Sequence, residues 1–192
     1  QKHTCHYDSL GRLSSATNGL GLFNIQYLND TSLVTNVQYP NGLNTQFDYF
    51  DTDKDRYMLK ELTNYLDTSK TQYVSKHEYQ YNLNNDISSW NIKDGAGAGQ
   101  RLEFAYDADG QLETVYKKAL TAGNPLQDYE HYRYDKAGNR TSNQSFGNKV
   151  TTAEFNISNQ ITTLKSGGKL LIEGQLSEYS QVTINKAAAK VN

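Results

Sequence analysis

Short runs of alternating apolar and polar residues recur along the chain and predict β-strands. In the clearest case, residues 102–106 place Leu, Phe and Tyr at alternate positions before a turn, and residues 112–116 place Leu, Thr and Tyr at alternate positions after it. Between these runs, Asp107 can bond backbone N–H groups two residues on, and Gly110 can take the positive φ of a tight turn. The pattern predicts a β-hairpin with one half-apolar face.

The same hairpin pattern repeats along the sequence. Three segments read Tyr-Asp-x-x-Gly, and their repeat-motif residues are Tyr7, Asp8, Gly11, Tyr106, Asp107, Gly110, Tyr134, Asp135 and Gly138. Weaker copies begin at Tyr27, Tyr49, Tyr81 and Phe155, and a Tyr-Pro-Asn-Gly turn (Tyr39 to Gly42) precedes one of them. The aromatic anchors are separated by roughly 20 to 32 residues, a period typical of repeat architectures.

The repeats predict an all-β fold. A single hairpin is marginal in water, so the units are expected to pair side by side into an extended, twisted antiparallel sheet that forms an open strip. The 15 tyrosines fit such a sheet, since a tyrosine ring covers apolar area while its hydroxyl stays hydrated. Residues 54–67 could alternatively form a short helix, but their alignment with the other return strands favours a strand.

Composition narrows the classes of function. With 19 basic and 21 acidic residues, the chain has a formal charge of −2 and lacks the basic surplus of a nucleic-acid binder. No window approaches the 18 apolar residues of a membrane-spanning helix. The chain begins at Gln1 and its only methionine is Met58, so we expect an excised piece of a longer protein.

The repeat motifs are specific enough to suggest a family. Residues 3–164, with "YDSLGRL", "YDADGQL" and "YDKAGNRT" as the best copies, resemble the RHS or YD-repeat family. The resemblance implies a ribbon of β-strands of the kind that spirals into a hollow shell in bacterial Rhs and wall-associated proteins, in the B and C components of Tc toxins and in teneurins. It also implies a secreted or cell-surface bacterial location.

The resemblance divides the chain into two parts. Residues 1–164 are expected to hold six or seven repeat hairpins, and residues 165–192 break the pattern with a segment that resembles the first strands of a β-sandwich module. The family's terminal core segment, with its self-cleavage aspartates, has no counterpart in this sequence. We therefore expect a non-catalytic scaffold segment rather than an enzyme, and a toxin-encapsulating shell is one structure to which such a segment could belong.

One stretch of carboxylates could bind calcium. Asp51, Asp53 and Asp55 occupy alternate positions, as at positions 1, 3 and 5 of a calcium-binding loop. However, Arg56 stands where such a loop has glycine, and Leu62 stands where it has a bidentate glutamate. The favoured interpretation is a solvated acidic turn, and no cofactor is predicted.

Sugar binding is the alternative function. Exposed tyrosines and Trp90, which lies outside the anchor positions, could stack on pyranose rings. Recurrence of tyrosine at the anchors favours packing instead. The adjacent Cys5 and His6 would point to opposite faces of a strand, so they make a poor nucleophile and base. The expected partners are other repeats and domains of the parent protein and cell-surface carbohydrate; the two open edge strands favour dimerisation by strand pairing.

Overall fold

A computed structural model describes residues 3–50, 57–95, 97–145, 149–168, 183–184 and 187–188. Fourteen antiparallel strands form one sheet in which each strand pairs with its neighbours in sequence, and no helix occurs in the described residues. The predicted all-β fold and open, unclosed sheet are therefore confirmed. The strands are β1 (Thr4–Tyr7), β2 (Leu13–Asn18), β3 (Gly21–Tyr27), β4 (Val34–Gln38), β5 (Asn44–Tyr49), β6 (Leu59–Tyr65), β7 (Tyr73–Tyr81), β8 (Ile87–Asp94), β9 (Gln100–Tyr106), β10 (Leu112–Ala119), β11 (Leu126–Tyr134), β12 (Arg140–Ser145), β13 (Lys149–Phe155) and β14 (Ile161–Ser166).

The remaining described pieces are small. Strands β15 (Thr183–Ile184) and β16 (Ala187–Ala188) form a separate two-stranded pair. Most of the second predicted segment, residues 165–192, lies outside the described residues, whereas β14 itself extends to Ser166. Residues 54–67, for which a short helix was the alternative, contain strand β6 in their described part.

The connections between strands fall into two sets, at opposite ends of the strands. Turns that follow odd-numbered strands carry the repeat motif. These turns all lie at the same end of the strands, and we call that end of the sheet the motif edge. Turns that follow even-numbered strands share no motif; they include the β8–β9 connection over residues 95–99 and the β10–β11 connection over residues 120–125. Every aromatic anchor is the last residue of an odd-numbered strand: Tyr7, Tyr27, Tyr49, Tyr81, Tyr106, Tyr134 and Phe155.

A β-bulge accompanies each anchor. Tyr106 pairs with Leu112 but Ala105 pairs with Thr114, so Glu113 is an extra residue in the return strand. The same shift occurs beside the anchor in the other six motif hairpins. A bulge increases the local twist and reverses the alternation of side chains. Thr114 and Tyr116 therefore lie on the opposite face from Leu112, which corrects the simple alternation expected for residues 112–116.

The strand registers separate two faces of different chemistry. One, the aromatic face, carries the anchors and most apolar residues, including Phe23, Phe47, Tyr79, Trp90 and Phe104. The other, the polar face, carries mostly charged and small polar residues, together with Tyr116 and Tyr129. Its most buried members are Asn36, Asn44, Thr63, Ser89, Thr114, His131, Gln144 and Val150.

Hydrophobic burial contributes little to this sheet. Among the described residues, Val150 is the one apolar side chain that is buried, at 6% exposure. Large apolar residues such as Leu20, Leu83 and Ile157 are almost fully exposed. Since no second layer covers either face in the described part of the chain, hydrogen bonds and cross-strand contacts must supply most of the stability.

Candidate functional site: the repeated turn and its tyrosine clasp

A side-chain oxygen organises five of the seven motif turns in the same way. In the first turn, Asp8 Oδ1 accepts hydrogen bonds from the amides of Leu10 and Arg12, both at 2.9 Å. The Asp8 amide donates to the Arg12 carbonyl, and the Gly11 amide donates to the Asp8 carbonyl. The short Asp or Asn side chain reaches these amides directly, which explains its place after the anchor. The same pair of side-chain bonds recurs at Asn82, Asp107, Asp135 and Asn156.

The fourth residue of each of these turns takes a left-handed conformation. Gly110 has a φ of 78° and Gly138 a φ of 82°. Where the motif is weaker, Asn85 and Asn159 occupy the same position with φ values of 70° and 58°. Asparagine is the side chain that tolerates this region best after glycine, so these sequences keep the turn without Gly.

Tyrosine anchors join each hairpin to the one before it. The Tyr106 hydroxyl donates to the Ile87 carbonyl at 2.9 Å, and Ile87 is the first residue of the neighbouring even-numbered strand, β8. We call this bond the tyrosine clasp. The clasp is present at all five odd-numbered strands from β3 to β11, with distances of 2.8–2.9 Å. The donor and acceptor pairs are Tyr27 and Leu13, Tyr49 and Val34, Tyr81 and Leu59, Tyr106 and Ile87, and Tyr134 and Leu112.

The residue after the left-handed position connects neighbouring turns. Arg12 forms an ion pair with Asp8 at 2.6 Å and donates through Nη1 to the carbonyls of Asn29 and Thr31 in the next motif turn. At the other end of the sheet, Asn139 donates to Asn159 Oδ1 at 2.9 Å. Side chains along the motif edge therefore reinforce the strand ladder between hairpins.

An ion-pair ladder crosses the polar face from β6 to β10. Lys76 bonds Glu61 at 2.7 Å and Lys93 bonds Glu78 at 2.9 Å, while Lys118 and Arg101 flank Glu103. Partial burial raises the pKa of Glu78, but the hydrogen bond and charge of Lys93 outweigh it and leave that pKa below its ordinary value. The registers place Glu61 opposite Glu78 and Lys76 opposite Lys93, so these ion pairs run diagonally between strands and interleave acidic and basic side chains on the described part of this face.

Burial also affects the clasp tyrosines. Loss of solvent raises the pKa of Tyr49, Tyr81 and Tyr106 above the ordinary value. The effect is largest at Tyr132 on the aromatic face, where burial and the hydrogen bond to Glu130 raise the pKa to about 12. Each of these phenols is kept in its neutral, donating form in the folded state.

We expect the sheet to lose stability at alkaline pH. The folded state raises these pKa values, so its stabilisation is complete below the unfolded tyrosine pKa of about 10 and is lost as pH rises through the folded values. Phenolate absorbance should therefore titrate later than in free tyrosine, with circular dichroism lost over the same range. A Tyr132→Phe variant should lack the latest-titrating phenol; an unchanged titration in that variant would contradict this assignment.

Three predicted site residues lie away from the motif edge. Tyr39 and Gly42 form the β4–β5 turn at the opposite edge, where the Gly42 amide donates to the Tyr39 carbonyl. Trp90 lies on the aromatic face, stacked on Tyr79 with ring centroids 5.8 Å apart, and donates to His77 Nδ1 at 3.2 Å. The Trp90 ring thus packs against residues of the neighbouring strand β7. Packing within the sheet is the alternative to sugar stacking for this ring.

Other chemical candidates are used structurally or lie outside the described part. Asp51, Asp53 and Asp55 fall in residues 51–56, which the structure does not describe. In the described residues no group of three His, Cys, Asp or Glu side chains is placed to hold a metal, and no helix there is long and apolar enough to cross a membrane. His131 is buried at 5% exposure, with Nδ1 2.9 Å from Thr114 Oγ1.

Sequence reasoning missed the acceptors of the tyrosine clasps. These acceptors are backbone carbonyls, so their identity depends on register and not on residue type. The sequence nevertheless carried one signal, which is the tyrosine at the anchor position. Five of the seven anchors between Tyr7 and Phe155 form the clasp through a hydroxyl that phenylalanine lacks. The preference for tyrosine at this position is explained by the clasp.

Comparison with known proteins gives a structural likeness. No protein-family model matches the chain, and no curated protein matches it in sequence. Among solved structures, the TcdB2-TccC3-TEV crystal structure has a TM-score of 0.62 and 16% identity over 80% of this chain and 9% of that chain. The TcdB2-TccC3-Cdc42 crystal structure has a TM-score of 0.54 and 16% identity over 83% and 10%.

A third solved structure agrees with these two. The Tc holotoxin pore of Photorhabdus luminescens has a TM-score of 0.50 and 14% identity, over 80% of this chain and 10% of that chain. The chain thus spans about a tenth of the length of each of these structures' chains. At such identity the likeness shows the fold: the 14-stranded antiparallel sheet is a fold that this chain shares with part of the Tc toxin chains.

Proposed function

We propose that this chain is a non-catalytic scaffold segment of a larger secreted or cell-surface protein, built on the RHS or YD-repeat plan. The observation that carries the proposal is the tyrosine clasp, which joins each hairpin to the preceding one in the same way five times. A device repeated without variation suits a wall that extends by adding units.

The contacts made by the motif residues support a structural role. Within the motif, the aspartates hold turns, the glycines take left-handed conformations and the tyrosines clasp neighbouring strands. In the described residues, five tyrosine anchors and the side chains that organise the turns thus each have a structural use. Several of the charged groups outside the motif are paired with one another across the polar face, as the Lys76–Glu61 and Lys93–Glu78 contacts show.

The likeness to Tc toxin chains supports a wall within a larger assembly. The match covers most of this chain but about a tenth of theirs, as expected for one stretch of a long repeat structure. The partners that fit this role are further repeats and domains of the same protein. In the toxin-type members that the sequence resembles, such a wall encloses a toxic domain, and we extend that role to the parent of this chain.

Electron cryo-microscopy of the longer protein that carries this sequence tests the proposal. We expect residues 3–166 to form one layer of the wall of a hollow shell, with further strands paired to β1 and β14. A map in which these residues form a separate module that hangs from the assembly, with both sheet edges free, would contradict the scaffold role.

A further inference from the structure

In the part of the chain that the structure describes, the two outer strands of the sheet, β1 and β14, each pair on one side only. Among the described residues, no strand pairs with the outer side of β1 or with that of β14. Three large side chains on the aromatic face are exposed at these edges: Tyr7 at 64%, Ile161 at 62% and Leu164 at 68%. The five clasped tyrosines inside the sheet, by contrast, are all half-buried. Unpaired edges with exposed apolar side chains are suited to strand addition.

Tyr7 occupies the anchor position but forms no clasp. It ends β1 as the other anchors end their strands, yet its hydroxyl has no partner in the described part of the chain. In the clasped hairpins the acceptor is always the carbonyl of the first residue of the preceding even-numbered strand. The residue in that position at the opposite end of the sheet is Ile161, the first residue of β14.

The strand registers make the two edges complementary. In all six pairings of an even-numbered strand with the following odd-numbered strand, the third residue of the even strand lies opposite the residue three before the anchor. These pairs are Ser15–Asn24, Asn36–Gln46, Glu61–Glu78, Ser89–Glu103, Thr114–His131 and Ser142–Thr152. Applied to β14 and β1, the same rule places Thr163 opposite Thr4, and both of these residues belong to the polar face.

We infer that the β14 edge of one copy of this chain binds the β1 edge of a second copy, antiparallel and head to tail. Thr163 lies opposite the second copy's Thr4, and the second copy's Tyr7 hydroxyl donates to the Ile161 carbonyl. The contact repeats the interface that already joins the hairpins six times within the sheet. It deepens the proposed scaffold role, since flanking repeats of a longer chain would use the same two edges. Because the contact is heterologous, it propagates beyond a dimer.

Two edge variants and a matched control test the inference. Leu164→Lys puts a charge on the β14 edge, and Cys5→Lys puts one on the exposed β1 edge. Leu83→Lys makes the same change as the first at a fully exposed turn between β7 and β8, far from both edges. Mass is measured by sedimentation and light scattering from micromolar to near-millimolar protein, with a reductant present to exclude a Cys5 disulfide. Circular dichroism establishes that each variant is folded.

We expect the mass of the unchanged protein and of Leu83→Lys to rise with concentration, while each edge variant stays monomeric. An equimolar mixture of the two edge variants should give a species of twice the monomer mass and nothing larger, because each supplies one intact edge. A monomeric unchanged protein, a dimer of either edge variant alone, or a mixture that stays monomeric would overturn the inference. If the monomer still scatters X-rays as a single open sheet, the proposed scaffold role survives that result.

Discussion

A variant with phenylalanine at all five clasp positions is expected to lose about 5 kcal/mol of unfolding free energy. Each substitution keeps the ring and removes one hydroxyl-to-carbonyl bond, which contributes about 1 kcal/mol. Successive clasps are two strands apart, so their effects should add. The loss would be comparable with the whole stability of many small domains, about 5–15 kcal/mol. Urea unfolding, followed by the fluorescence of the single residue Trp90, measures it.

The control for this variant uses the same chemistry at other tyrosines. Four of them make no hydroxyl hydrogen bond in the described part of the chain and lie outside the inferred contact between copies, so phenylalanine there should change the unfolding free energy by less than about 1 kcal/mol in total. Equal losses in the two variants would show that the clasps are not what stabilises the sheet. The control positions are Tyr57, Tyr65, Tyr73 and Tyr79.

Gly21→Ala is expected to destabilise the protein by about 3 kcal/mol or more, the largest effect of any single substitution considered. Gly21 has a φ of 124°, a region that side chains rarely adopt. A Cβ there would also lie 2.6 Å from the Cβ of Pro40, whose ring cannot move aside as a flexible side chain can. Both strain and overpacking therefore oppose the folded state. The midpoint of urea or thermal unfolding measures the loss.

Gly11→Ala separates these two causes. Gly11 also has a positive φ, 78°, but an added Cβ would meet no atom within 4 Å. Its substitution should cost only about 1 kcal/mol, the price of the left-handed conformation alone. If Gly21→Ala were no more destabilising than Gly11→Ala, the position of the Pro40 ring next to Gly21 at the start of β3 would be contradicted.

Much of the fold could be predicted because the repeat acts locally. The anchor, the aspartate and the glycine are within five residues of one another, so their turn chemistry is readable from any one copy, such as Tyr106 to Gly110. Once the unit is a hairpin with one half-apolar face, side-by-side pairing is the remaining way to stabilise it. The open antiparallel sheet followed from those two steps.

The features that could not be predicted depend on register between strands. A one-residue bulge beside each anchor moves the return strand to the other face, as Thr114 and Tyr116 show, and alternation alone cannot reveal it. The clasp joins a hydroxyl to a backbone carbonyl 14 to 22 residues away, so no residue type marks the acceptor. Tyr39 and Gly42 carry ordinary turn chemistry, and only the strand order places their turn at the opposite edge.

The central claim is that strands β1 to β14 form one open sheet and that no packed core covers it in the described part of the chain. Small-angle X-ray scattering from dilute protein tests this claim most directly. Fourteen strands about 4.8 Å apart make a sheet roughly 60 Å wide, so we expect a skewed distance distribution and a radius of gyration clearly above the value of about 16 Å for a compact chain of 192 residues. A symmetric distribution with a radius of gyration near 16 Å would contradict the account, because it would require the sheet to be folded into a globular domain.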